Sequence, residues 1–190
     1  MSKISEIVPE SSLQDLPIYA YSKGKTIRSH SRNVHILLGG ILQEESYSNL
    51  GGKNLIFDQS LFGSLYKNNT ISYSHSNYKC VTNTKVLILR VSEFYSLISD
   101  SPEYLYWCFQ MLNQRIIDLE QLFILSSHKE TLAKLAHFLL LLGKYYGNPS
   151  KTGIRLNVNI SHEIIADSLN TTRVTVTRLI GKLKKKYYTK

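Results

Sequence analysis

The chain has 190 residues, 43% of them apolar, and a formal net charge of +9. That is enough apolar mass for one large or two small packed domains, and no apolar run approaches the ~20 residues a membrane-spanning helix needs. Cys80 and Cys108 stand far apart with no CxxC, which argues against a cysteine zinc site or a disulfide framework and points to a reducing compartment.

Met1–Ile7 lacks the apolar core of a signal peptide. Residues 1–100 are expected to be β-rich: Val34–Leu38, Asn54–Phe57 and Lys85–Val91 are short, apolar or alternating, and bounded by Gly, Asn and Ser. Gly39-Gly40 and Gly51-Gly52 read as turns. Closely spaced short strands suggest a barrel or jelly roll.

Ser101-Pro102-Glu103 then opens a long helix: Ser caps it, Pro takes the first helical position, and Glu suits the N-terminal dipole. The helix is expected to run to about Ser127. Leu105, Cys108, Leu112, Leu119 and Leu122 form a heptad-like seam, widened by Phe109, Ile116 and Phe123. So much apolar surface suggests one side packed on the β domain and the other on a second subunit. Arg115 falls within the seam and needs a counter-charge or a bound anion. Glu120 is a candidate partner, although five residues do not place the two on one face.

A second helix is expected over Lys129–Tyr146, with Leu132, Leu135, Ala136, Leu139, Leu140 and Gly143 on one side. Gly147-Asn148-Pro149 stops it, and Ile154–Ile160 alternates like a short strand. Two short helices follow, joined by a tight turn. Ser161 caps the first, whose Ile164, Ile165, Ala166 and Leu169 make an apolar face. Small Ala166 allows close approach. Asn170-Thr171 supplies the turn, and Thr171 or Thr172 caps the next helix. That helix is expected to bury Val174, Leu179 and Leu183 and to turn Arg173, Thr175, Thr177 and Arg178 outward. This is a helix-turn-helix pattern, whose second helix enters a DNA major groove. Arginine suits the task because it grips guanine O6 and N7 bidentately; threonine can hold phosphate or touch a thymine methyl.

Charge agrees with the pattern. From Lys151 onward nine cations face only Glu163 and Asp167, so seven of the nine net positive charges lie in the last forty residues. Such asymmetry is the footprint of a polyanion partner. Enzyme motifs are lacking: there is no nucleophile elbow, P-loop or metal-ligand spacing, and the six histidines are scattered. Two readings compete: an effector-independent DNA-binding protein of the same fold, and a ligand-binding module whose basic tail touches nucleic acid non-specifically.

A β-rich N-terminal part, a long linking helix and a basic helix-turn-helix together resemble the CRP/FNR family of transcription regulators, over roughly residues 30–184. The run Leu169-Asn-Thr-Thr-Arg-Val-Thr-Val-Thr-Arg-Leu-Ile-Gly-Lys-Leu183 is the most specific stretch and is similar to the NtcA-like nitrogen regulators within that family. The resemblance implies an α+β chain: a cyclic-nucleotide-binding-like β-roll over 1–100, a linking and dimerisation helix over 101–127, and a DNA-binding helix-turn-helix domain over 128–190. It implies a homodimeric regulator on a palindrome with GTA and TAC half-sites, with RNA polymerase as a further partner and no enzymatic activity. Arg173, Val174 and Arg178 fall on base-contacting positions, with Ser161, His162 and Thr172 near the backbone and Thr175, Thr177 and Lys182 on the same surface. The implied effector is 2-oxoglutarate, held by Phe62, Gly63, Ser64 and Leu65 through backbone N–H groups, by Arg115, and beside Glu120. Two departures stand out. Ser76 lies near a position where the family has a second arginine, with His75 and Lys79 as neighbouring cations. The sequence also stops at Lys190, where relatives continue into a β-hairpin wing, so an incomplete wing is expected. The Lys, Asn, Tyr and Ile bias matches AT-rich coding DNA and, with the resemblance, a red-algal plastid.

Overall fold

The computed structural model describes residues 16–28, 32–45, 53–63, 77–151 and 153–188, the last three as backbone only. By its contacts the chain divides between Ile117 and Asp118 into two compact units.

The first unit carries eight strands: β1 (Ile18–Tyr21), β2 (Thr26–Arg28), β3 (Asn33–Gly39), β4 (Leu42–Glu45), β5 (Lys53–Ile56), β6 (Ser60–Phe62), β7 (Asn77–Cys80) and β8 (Thr84–Arg90). They form two antiparallel sheets, ordered β1-β8-β3-β6 and β2-β7-β4-β5. Strand alternation explains the layers. Leu37, Phe62 and Val86 from one sheet meet Ile27, Leu42, Ile56, Tyr78 and Cys80 from the other. On its opposite face, the β3 sheet offers Val34, Ile36, Leu61, Leu87 and Leu89 to helices. Both faces of that sheet are thus covered, and its strands read as nearly continuous apolar runs.

Those helices are α1 (Val91–Asp100) and α2 (Pro102–Ser127). α1 lies in a region expected to be β-rich. Phe94, Leu97 and Ile98 have helical spacing and pack on the sheet, while the Glu93 carboxylate accepts the Arg90 backbone N–H at 2.8 Å and fixes the first turn. α2 has the bounds the sequence suggests. Trp107, Cys108 and Met111 bury against the sheet, each large side chain contributing roughly 1.5–3 kcal/mol. Cys108 therefore belongs to the inward side rather than to the seam. The outward stripe is Leu105, Phe109, Leu112, Ile116, Leu119 and Phe123, spaced alternately four and three, and all are exposed. The Ser101 hydroxyl donates to Glu103 at 2.7 Å, and this bond holds the Glu103 carboxyl below the ordinary carboxylate range.

The second unit contains the end of α2, then α3 (Thr131–Tyr146), a hairpin of β9 (Gly147–Ser150) and β10 (Gly153–Leu156), α4 (His162–Ser168) and α5 (Arg173–Tyr188). α3 starts two residues later than expected. It buries Leu135, Phe138, Leu141 and Leu142, while Leu132 and Leu140 are exposed. The stop at Gly147-Asn148-Pro149 is real, but these residues go straight into β9, and the strand expected to Ile160 ends at Leu156. Gly147 is extended rather than left-handed; glycine is needed because a Cβ there would strike the Gly143 carbonyl and Ile154. At the α2–α3 corner, His128 Nε2 meets His137 Nδ1 at 3.1 Å, and His137 Nε2 meets Gln121 Oε1 at 3.1 Å. Asp118, fully buried on α2, accepts the Tyr145 hydroxyl and faces Lys144 at 3.8 Å, tying the end of α3 to α2.

Candidate nucleic-acid interface

The α4–α5 pair is built from local signals. Ser161 Oγ accepts the Ile164 backbone N–H at 3.3 Å and caps α4. Ile165, Ala166 and Leu169 are buried, and the chain turns at Asn170, whose φ of 50° is tolerated by asparagine's short side chain. Thr172, not Thr171, caps α5: its Oγ1 accepts the Thr175 N–H at 3.2 Å, and the two hydroxyls lie 3.0 Å apart. Thr175 is thereby committed to the cap.

The helical sweep of roughly 100° per residue decides the faces of α5. Val176 (0% exposed) and Leu179 are buried, with Ile180 and Leu183 half-buried on the same side. Val174 was expected inside; it is 77% exposed. Two residues before Val176, it sits about 200° round the helix and shares the outward arc with Arg173, Thr177, Arg178 and Lys182. That arc is cationic with one apolar side chain at its centre. Among the described residues, Arg173, Arg178 and Lys182 make no side-chain hydrogen bond or ion pair. Cations so placed are available to an outside anion.

A relay fixes the start of α5 against α4. Thr177 Oγ1 donates to the Arg173 carbonyl at 2.9 Å. Its only proton is thus used, so the 2.8 Å contact to His162 is a donation from His162 Nδ1–H. The outer Nε2 of His162 then faces away from this bond, and only the Thr177 methyl remains for an apolar contact.

The candidate anion site lies in the first unit. Arg115 Nη1 donates to the Leu55 carbonyl on β5 at 3.0 Å, and Nη2 lies 3.8 Å from Glu44 Oε2 on β4. Glu44 Oε1 accepts the Tyr78 hydroxyl at 3.2 Å, and the Tyr78 ring meets the buried Phe62 ring edge-on at 4.7 Å. A continuous chain therefore links Phe62 to Arg115. The counter-charge expected at Glu120 is supplied by Glu44 instead; Glu120 is exposed on α2. Nothing in the local sequence marks Glu44, because strand pairing brings it there: it stands directly opposite Tyr78. Gly63 follows Phe62 with a φ of 85°, a conformation glycine adopts freely. Ser64, Leu65, His75 and Ser76 lie outside the described residues. Lys79 is exposed between buried Tyr78 and Cys80, hence on the face of β7 turned from Glu44.

Comparison with known proteins shows the family. A family model described as a Crp-like helix-turn-helix domain matches residues 133–189. The global nitrogen regulator of Synechococcus elongatus is 32% identical over 177 residues, covering 89% of this chain and 79% of that protein. The chain belongs to the CRP/FNR family of DNA-binding transcription regulators. Members of this family are transcription regulators rather than enzymes, bind DNA, and are typically dimers. A putative helix-turn-helix regulator of Porphyra purpurea, ycf28, is 27% identical over 99 residues, covering 52% of this chain and 42% of its own length. Among solved structures, a mutant of CooA from Carboxydothermus hydrogenoformans superposes with a TM-score of 0.69 at 20% identity, covering 92% of this chain and 79% of that one, a likeness of fold. No helix among the described residues is long and apolar enough to cross a membrane.

Proposed function

We propose that this regulator is a homodimer that activates nitrogen-responsive genes, reading a palindrome with GTA and TAC half-sites through its two α5 helices. The single observation that carries the proposal is the outward arc of α5, where Arg173, Val174 and Arg178 are exposed and the two guanidinium groups make no side-chain bond within the described chain. Likeness to the global nitrogen regulators supports the choice of genes. The exposed stripe on α2 supports pairing, since six large apolar side chains at heptad spacing need a partner surface. As an activator, the dimer would contact RNA polymerase.

The proposed effector is 2-oxoglutarate, with Arg115 as its carboxylate-binding arginine; a planar guanidinium grips a carboxylate at two points. Effector binding would shift an existing equilibrium between helix arrangements toward the one that spaces the recognition helices a DNA turn apart. Similarity to ycf28 and the AT-rich coding bias support a plastid location.

The deciding experiment is binding to a GTA-N8-TAC duplex and to a scrambled control, with and without 2-oxoglutarate, at one near-physiological salt concentration. Specific binding that tightens with 2-oxoglutarate is expected, and Arg115→Ala should lose the response while effector-free binding persists. Specific binding indifferent to 2-oxoglutarate would retain the DNA reader and remove the sensor. Equal binding to both duplexes would remove the recognition-helix assignment.

A further inference from the structure

Glu44 is an unusual residue for its place. Leu42, two positions earlier on β4, lies in the core between the sheets, so Glu44 points toward the same inner face near its rim. A carboxylate there needs a cation, and Arg115 provides it: their side chains are 24% and 14% exposed. Tyr78, directly across the strand pair, holds the other carboxylate oxygen. Arg115 is thus already occupied by a carboxylate of its own chain.

We propose that Glu44 is a tethered competitor: it pairs with Arg115, must be displaced by a soluble dicarboxylate, and so sets the concentration at which the regulator responds. This rests on the reading of Arg115 as the effector arginine. The physical reason is one of effective concentration. A carboxylate fixed on a neighbouring strand acts at millimolar or higher local concentration. A soluble monocarboxylate that replaces it exchanges one guanidinium–carboxylate contact for another and gains little. A dicarboxylate brings a second anionic group, which can find donors that Glu44 does not use. The tether therefore raises the threshold for every anion by the same factor, and a ligand with a second anchoring group is the one that still binds at a useful concentration.

The test is calorimetric titration of the full chain with 2-oxoglutarate and with the monocarboxylate 2-oxobutyrate, comparing wild type, Glu44→Gln, Tyr78→Phe and Arg115→Ala. Glu44→Gln should bind 2-oxoglutarate about fivefold more tightly, the equivalent of a partly exposed ion pair released, and 2-oxobutyrate should tighten by a similar factor. Tyr78→Phe keeps the charge but loosens its hold, so it should tighten binding by a smaller factor; it also serves should the Gln variant fold poorly. Arg115→Ala should bind neither. Equal or weaker 2-oxoglutarate binding by both Glu44→Gln and Tyr78→Phe, with binding intact in wild type, would overturn the competitor and leave the effector site standing. Absence of binding in all four proteins would remove the effector reading and the competitor together.

Discussion

Arg178 and Lys182 lie one turn apart on the same arc of α5, yet they are suited to different tasks. An arginine near the start of a recognition helix can fork onto a guanine edge, and each such contact is worth roughly 1–3 kcal/mol of discrimination. Arg178→Ala should therefore lower affinity for the palindrome about 10- to 100-fold while changing affinity for a scrambled duplex far less. A parallel loss on both duplexes in a fluorescence-anisotropy titration would move Arg178 to the phosphates. The outward placement of the arginines was legible in the sequence because their spacing is local to one helix. Spacing alone puts Val174 inside, against the base-contacting position that the resemblance implies: Val174 and Val176 are the same residue type two positions apart, and only the packing of α5 decides that Val176 goes inside. Glu44 was illegible for a different reason, since its partner Arg115 is seventy-one residues away in sequence.

Cys108 makes a residue-scale statement about pH. Burial beneath the β3 sheet pushes its thiol from an ordinary 9.0 up to about 11. The unfolded chain loses this proton near pH 9, and the folded chain keeps it until about pH 11. Its contribution to stability is complete below pH 9 and falls as pH rises through that window, by about 1.4 kcal/mol per pH unit. Urea unfolding at pH 8 and pH 10.5 should show wild type losing about 2 kcal/mol more than Cys108→Ala between the two conditions. Identical losses would mean that the thiol is solvated in the folded chain.

At the scale of elements, α2 is the clearest case of a helix with two masters. Trp107, Cys108 and Met111 serve the sheet, and the stripe from Leu105 to Phe123 is left uncovered. Phe109 is 62% exposed in the single chain, so Phe109→Asp should leave its helix intact. In a dimer the same change would bury a charge at the centre of the seam. Sedimentation equilibrium should show dimerisation weakened by about 2 kcal/mol or more, roughly 30-fold; an unchanged association constant would place the partner surface elsewhere. The bounds of α2 were readable because Ser-Pro-Glu marks its start and its apolar pattern is sustained. α1 was missed because it follows β8 without a connecting residue, so its helical spacing merges with a strand's apolar run. The buried face of α3 was misread because Phe138 to Leu142 are all apolar, and a run without polar interruptions has no phase.

At the scale of the whole molecule, charge is distributed very unevenly. The first 150 residues are nearly balanced, and the last forty carry seven of the nine net positive charges. Fold and DNA attraction are thus encoded in different parts of the chain, and the second can be altered without the first. Neutralising a phosphate releases condensed counterions, so the logarithm of affinity falls linearly with the logarithm of salt, by about 0.9 per contact. Lys182 is exposed on the outward arc and makes no side-chain bond within the described chain. Lys182→Ala should lower affinity for palindromic and scrambled duplexes alike and reduce the salt slope by about one per subunit, hence about two for a dimer. A flattened slope with specificity retained would assign Lys182 to the backbone and leave sequence reading to the start of α5. An unchanged slope would mean that the basic end of the chain approaches DNA through other lysines, and the docking angle of α5 would have to be redrawn.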